Sequence, residues 1–94
     1  MGFKDAKRDV LSALASGAYR HEERGDIDVK NLLATGAVSP ERVIELIKKS
    51  RGHDHSSSPH HIVADIDVHV IRREGWYIKF YVLAPNVWFI SVHQ

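Results

Sequence analysis

Imidazole, phenol and ammonium groups carry the chemistry available to this sequence. Seven histidines stand in a chain without cysteine, which excludes disulfides, thiolate zinc sites and thiol nucleophiles. Imidazole changes charge close to physiological pH and so suits proton transfer. Four histidines crowd into the stretch His53-Asp54-His55-Ser56-Ser57-Ser58-Pro59-His60-His61. Two more, His69 and His93, lie in β-like segments with Tyr77, Lys79, Tyr81 and Phe89. Together they offer a proton acceptor, a proton donor and a cation, the parts of general acid–base chemistry.

The histidine stretch has three readings. It is a plain solvated loop, as its Ser, Pro and Asp content suggests. It is a zinc site, although this spacing ties the imidazoles to no helix or strand geometry, and a further ligand would have to be Asp54 or Asp65. Or it supplies a general acid, a general base or a phosphate contact, His55 ahead of His53, to an adjacent sheet.

Positioning falls to helices in the first half and strands in the second, an α+β arrangement. Phe3, Ala6, Val10, Leu11 and Leu14 recur at helical spacing over residues 3–16, and Gly17 ends that run. Residues 17–24 read as a connector with a short edge strand. Its Arg20 to Arg24 cluster reads as a solvated surface. A second helix starts at an Asp26 cap, carries Val29, Leu32 and Leu33 inward, and ends at Gly36. A third has Ser39 as cap, Pro40 in its first turn, and Val43, Ile44, Leu46 and Ile47 as its apolar side. Three strands follow over 61–71, 76–83 and 87–93, joined by connectors containing Gly75 and Ala84-Pro85-Asn86.

Alternation along a strand then sorts the side chains into two faces. The even positions from Ile62 to Val92, Trp76 and Trp88 among them, are apolar and should pack on the helices. The odd positions hold Asp65, Asp67, His69, Tyr77, Lys79, Tyr81, Phe89, Ser91 and His93. Three-residue loops in both hairpins would make the apolar faces coincide. Tyr77 then faces His93, Lys79 faces Ser91, Tyr81 faces Phe89, and His69 lies beside Tyr77. A solvated outer face is the bland alternative, but aromatic and imidazole groups are unusual company there. Arg72 and Arg73, at a hairpin tip, are either phosphate grips or ordinary turn charges.

Composition narrows the setting. The 94 residues are 44% hydrophobic, enough for one core, and residues 1–94 read as a single domain. Thirteen basic residues against twelve acidic ones do not announce a nucleic-acid binder. No apolar stretch is long enough to span a membrane, and the N-terminus lacks the apolar core of a secretory signal. A cytoplasmic protein is expected.

In sequence order, the segments LASGAYR, DIDVKNLLATG, SPERVIELIKKS, the Ser/His loop, DVHV, GWYIKFYV and VWFISVHQ resemble the MqsR family of toxin ribonucleases. The resemblance runs from about Asp9 to the C-terminus and lies in the order of weak signals. It implies a RelE-like α+β fold, with about three helices on one face of an antiparallel sheet of three or more strands. It also implies mRNA cleavage without a metal or other cofactor, and neutralisation by a cognate antitoxin, with a homodimer left open. The family's catalytic tyrosine falls on Tyr77, with Lys79 two residues on. Its terminal lysine is replaced by His93, its loop lysine falls near Asp54 or His55, and its glutamine is replaced by Ile66. His93, Tyr77, His55 and Lys79 are thus the expected catalytic groups. Arg51, His53, His69, Tyr81 and Phe89 are the expected RNA contacts. Paired imidazoles would give a bell-shaped rate profile between about pH 5 and 8. A non-catalytic RNA- or partner-binding module, with a metal in the histidine loop, is the alternative.

Overall fold

A computed structural model describes residues 2–23 and 30–94. Among them, three helices pack on one face of a five-stranded mixed sheet, so the α+β expectation holds in its coarse form. The helices are α1 (Phe3–Ser16), α2 (Leu32–Thr35) and α3 (Pro40–Lys49). The strands are β1 (Tyr19–His21), β2 (His55–Pro59), β3 (Asp67–Arg73), β4 (Trp76–Leu83) and β5 (Asn86–His93), in spatial order β1-β5-β4-β3-β2. β1 runs parallel to β5, and all other neighbours are antiparallel. No helix among the described residues is long and apolar enough to cross a membrane.

Local signals account for the helices. Gly17 takes the left-handed conformation (φ 82°) that releases the chain from α1. Ser39 accepts the Arg42 N–H at 3.1 Å and Pro40 opens α3. The expected Asp26 cap and Val29 lie outside the described residues, and the observed cap of α2 is Asn31, whose Oδ1 accepts the Ala34 N–H at 3.0 Å. Lys7 reaches from α1 to the carbonyls of Lys48 (3.0 Å) and Ser50 (2.9 Å), satisfying the open end of α3. The core gathers Ala6, Val10 and Leu14 of α1, Leu33 of α2, and Val43, Leu46 and Ile47 of α3. Against them stand Ile71, Ile78, Phe80, Val87, Phe89 and Val92 of the sheet.

The turns correct the expected faces. The β3–β4 hairpin turns through two residues, Glu74 and Gly75, both at positive φ (52° and 80°). That geometry matches the twist of the flanking strands and favours glycine. A two-residue turn shifts β3 by one position relative to the expectation. His69 and Ile71 therefore point toward the helices, while Val68, Val70 and Arg72 point away. Leu83 pairs with Asn86, so the last hairpin also turns through two residues, Ala84 and Pro85. This places Phe89 in the core opposite Phe80, and Trp88 on the outer face opposite Tyr81. A β-bulge then restores the parity: Lys79 pairs with Ser91 but Phe80 pairs with Phe89, leaving Ile90 as the extra residue. Beyond the bulge Tyr77 meets His93, as expected.

The Ser/His segment is not a loop throughout. Gly52–Asp54 form a 3-10 turn, and His55–Pro59 form the edge strand β2 against β3. β3 starts only at Asp67, and the expected strand residues 61–66 instead form the connector from β2.

Candidate functional site

Two-fold alternation from the core positions fixes what the outer face presents. β1 gives Arg20, β3 gives Val68, Val70 and Arg72, β4 gives Tyr77, Lys79 and Tyr81, and β5 gives Trp88, Ile90, Ser91 and His93. Among the described residues, no strand position on this face is acidic. A chain of nearly balanced charge has thus sorted cations and aromatic rings onto one surface.

Three groups form a layered stack there. The Tyr77 and His93 rings lie 5.1 Å apart between centroids and nearly parallel, at 20°. The Arg72 guanidinium sits 5.1 Å over the Tyr77 ring, a cation–π contact. Cross-strand pairing positions both neighbours, because Tyr77 is opposite Arg72 on β3 and opposite His93 on β5. Lys79 follows one outward position along β4, opposite Ser91. Proton carrier, phenol and two cations thus share one half of the face.

The other half is an aromatic platform. Tyr81 and Trp88 stack almost parallel (3°) at 6.3 Å. The His60 ring stands edge-on to Tyr81 at 5.1 Å and stacks on His61 at 4.9 Å. His60 Nδ1 accepts the N–H groups of Ile62 (3.1 Å) and Val63 (3.2 Å), so the ring proton belongs on Nε2. Nε2 lies 3.9 Å from the Glu22 carboxylate. The His60 N–H also donates to the Ile66 carbonyl at 2.8 Å. The backbone and Nδ1 bonds close the 60–66 connector on itself, and the Tyr81 contact sets it against the outer face.

The remaining expected site residues lie elsewhere. His55 and His69 meet on the helix side, His55 Nε2 to His69 Nδ1 at 2.9 Å. Phe3 covers His55 at 5.4 Å, and Phe80 lies 5.5 Å from His69, which is only 1% exposed. Burial pushes both imidazoles below their ordinary pKa, and for His69 the charge of His55 adds to it. The expected pair of His93 with His55 is therefore not assembled: the one-residue shift at the Glu74-Gly75 turn puts them on opposite sides of the sheet. His69 is likewise not beside Tyr77, and Phe89 is a core residue rather than a stacking platform. Arg51 and His53 are exposed at the 3-10 turn before β2. There Asp54 accepts the Arg51 backbone N–H at 2.8 Å and lies 3.5 Å from both His53 and Arg73. The Arg51 N–H, then the nearby cations, hold the Asp54 carboxyl below its ordinary range.

Three outer-face residues are not assigned by the sequence: Arg72 reads as either a phosphate grip or a turn charge, Trp88 reads as core, and His60 is not singled out from its loop. The Glu-Gly dipeptide was the available signal for Arg72, since a two-residue turn puts it opposite Tyr77. Nothing local announces that the last hairpin turns through Ala84 and Pro85 alone, which is what puts Trp88 on the outer face.

Among the described residues, no group of three or more His, Asp or Glu side chains converges as metal ligands. Comparison with protein-family models, curated proteins and solved structures found no match.

Proposed function

We propose that this protein is an endoribonuclease that cuts single-stranded mRNA by acid–base catalysis, as an MqsR-type toxin with a RelE-like fold. The carrying observation is the Arg72–Tyr77–His93 stack, with Lys79 beside it, on a sheet face without acidic strand positions among the described residues. RNA single strands are bound by cationic grooves joined to aromatic stacking surfaces, and Tyr81 with Trp88 supplies such a surface next to the stack.

The chemistry is attack of a ribose 2′-oxygen on the adjacent phosphorus. The P–O5′ bond breaks, leaving a 2′,3′-cyclic phosphate and a 5′-hydroxyl. Neutral His93 accepts the 2′-hydroxyl proton, and the Tyr77 hydroxyl donates one to the departing 5′-oxygen. Arg72 and Lys79 stabilise the negative charge that grows on the phosphorane oxygens. Water returns the protons between turnovers. His55, hydrogen-bonded to His69 under the helices, takes no part. mRNA is the substrate, and a cognate antitoxin in the cytoplasm is the partner the sequence resemblance implies.

The test is digestion of a single-stranded RNA with product analysis. A 2′,3′-cyclic phosphate end formed by wild type, and not by His93→Ala, supports the proposal. Expression of the wild type should also arrest growth, and Tyr77→Phe should relieve the arrest. Binding of RNA without cutting would favour the non-catalytic module, which the Tyr81–Trp88 platform alone would support.

A further inference from the structure

The 60–66 connector roofs a small cavity on the outer face, separate from the Arg72–Tyr77–His93 stack. It measures about 210 Å³, and its lining includes Ser58, His60, His61, Val68, Lys79 and Ile90. Val68 and Ile90 form an apolar floor. Both are 5% exposed although they lie on the side away from the helices. The stacked His60 and His61 rings make an aromatic wall. Ser58 and Lys79 add a hydroxyl and an ammonium, and neither has a hydrogen-bond or ion-pair partner among the described residues. The bulge at Ile90 is what brings this apolar side chain beside Lys79, because it leaves Ile90 and Ser91 together opposite that lysine.

We infer that this cavity is a base-binding subsite that takes one unstacked nucleobase of single-stranded RNA. The inference rests on the ribonuclease reading and adds to it where the strand lies. Its volume is below the ~300–1,000 Å³ of pockets for drug-sized ligands, which fits one planar ring system rather than a whole nucleotide. An apolar floor with an aromatic wall takes the faces of a ring, and the Ser58 hydroxyl meets its polar edge. The charge agrees as well. Lys79 stands both at this cavity and one outward position from Tyr77. A phosphate held by Lys79 thus links a base under the connector to the atoms facing Tyr77 and His93. Exposed Ile62 and Val63 at the connector's tip extend the apolar surface to a neighbouring base.

The test uses a non-cleavable 2′-fluoro single-stranded RNA oligonucleotide and a series in which each position in turn is made abasic. Binding is read by fluorescence anisotropy and by the methyl resonances of Val68 and Ile90. One abasic position should weaken binding by about 5- to 100-fold, as expected for loss of one stacked base, and should abolish the Val68 and Ile90 methyl shifts. Ser58→Trp, which fills the cavity from an exposed edge strand, should weaken the intact strand similarly and that abasic strand no further. Glu74→Ala, at the hairpin tip and outside the cavity lining, should leave the abasic effect unchanged. Methyl groups that do not respond to the intact strand, or equal binding by every abasic strand, would overturn the subsite. Because the strand cannot be cut, this result is independent of whether natural RNA is cleaved, and failure to cleave would count against the nuclease alone.

Discussion

The sheet carries histidines on both faces, and the two surroundings give them opposite roles. On the helix side His55 and His69 share a 2.9 Å hydrogen bond beneath Phe3 and against Phe80. Desolvation favours their neutral forms. On the outer side His93 stacks on Tyr77, with Arg72 on the other face of the phenol and solvent within reach. Identical side chains thus serve as packing on one face and as candidate chemistry on the other. Position relative to two short turns decides which.

The comparison breaks first at His93. His93→Ala should lower RNA cleavage by about 10²–10⁴-fold, the usual range for loss of a general acid or base, with an unchanged circular dichroism spectrum. A comparable rate loss from His55→Ala without unfolding would reverse the two roles. His69→Ala should do the opposite of His93→Ala. It empties a fully buried position and leaves His55 without its partner, costing about 2–4 kcal/mol in denaturant unfolding. Cleavage per folded molecule should stay within about twofold of wild type.

Lys79→Ala should reduce the cleavage rate about 10- to 100-fold. That is less than the ~10²–10³ loss of a donor in an enclosed oxyanion site, because this face is open to water. The effect should be in kcat more than KM, which single-turnover kinetics would separate from weaker binding.

pH sharpens the contrast further. Burial depresses the pKa of His55 and His69, and of His21, whose Nδ1 accepts from the buried Asn31 amide at 3.1 Å. As pH falls, the unfolded chain takes up these protons before the folded one does. Stability is therefore complete above about pH 6.5, the ordinary histidine value, and declines below it. The melting temperature should fall between pH 7 and 5, and His69→Phe should flatten that dependence. The smallest effect belongs to Glu74 at the hairpin tip, bonded to Arg42 and Lys49 across exposed surface. Glu74→Ala should leave the denaturant midpoint indistinguishable from that of wild type, with cleavage unaltered.

How far the sequence foretold this depends on how local each signal is. The caps at Gly17 and Ser39 and the apolar stripes of α1 and α3 act within a turn or two, and they read correctly. Tyr77 opposite His93 also read correctly, but for an incomplete reason: a short turn and a bulge shift the register in opposite senses and cancel at that pair. Between the turn and the bulge the cancellation fails, so Phe89 and Trp88 exchanged faces. β3 has no bulge to compensate its turn, so His69 went inward and Arg72 outward. β2 and β1 were obscure because three serines, or three residues beside a charge cluster, carry no alternation of their own. Their partners define them, β3 for one and a parallel β5 for the other. The cavity under the connector was invisible for the same reason, being made by strands and a crossing segment far apart in the chain.

The account is tested most directly by incubating wild type and His93→Ala with a single-stranded RNA in excess EDTA and following cleavage over time. It expects wild type to cut with the chelator present and His93→Ala to be slower by at least about 10²-fold. Equal rates for the two proteins, or no cleavage by wild type until a metal ion is restored, would contradict it.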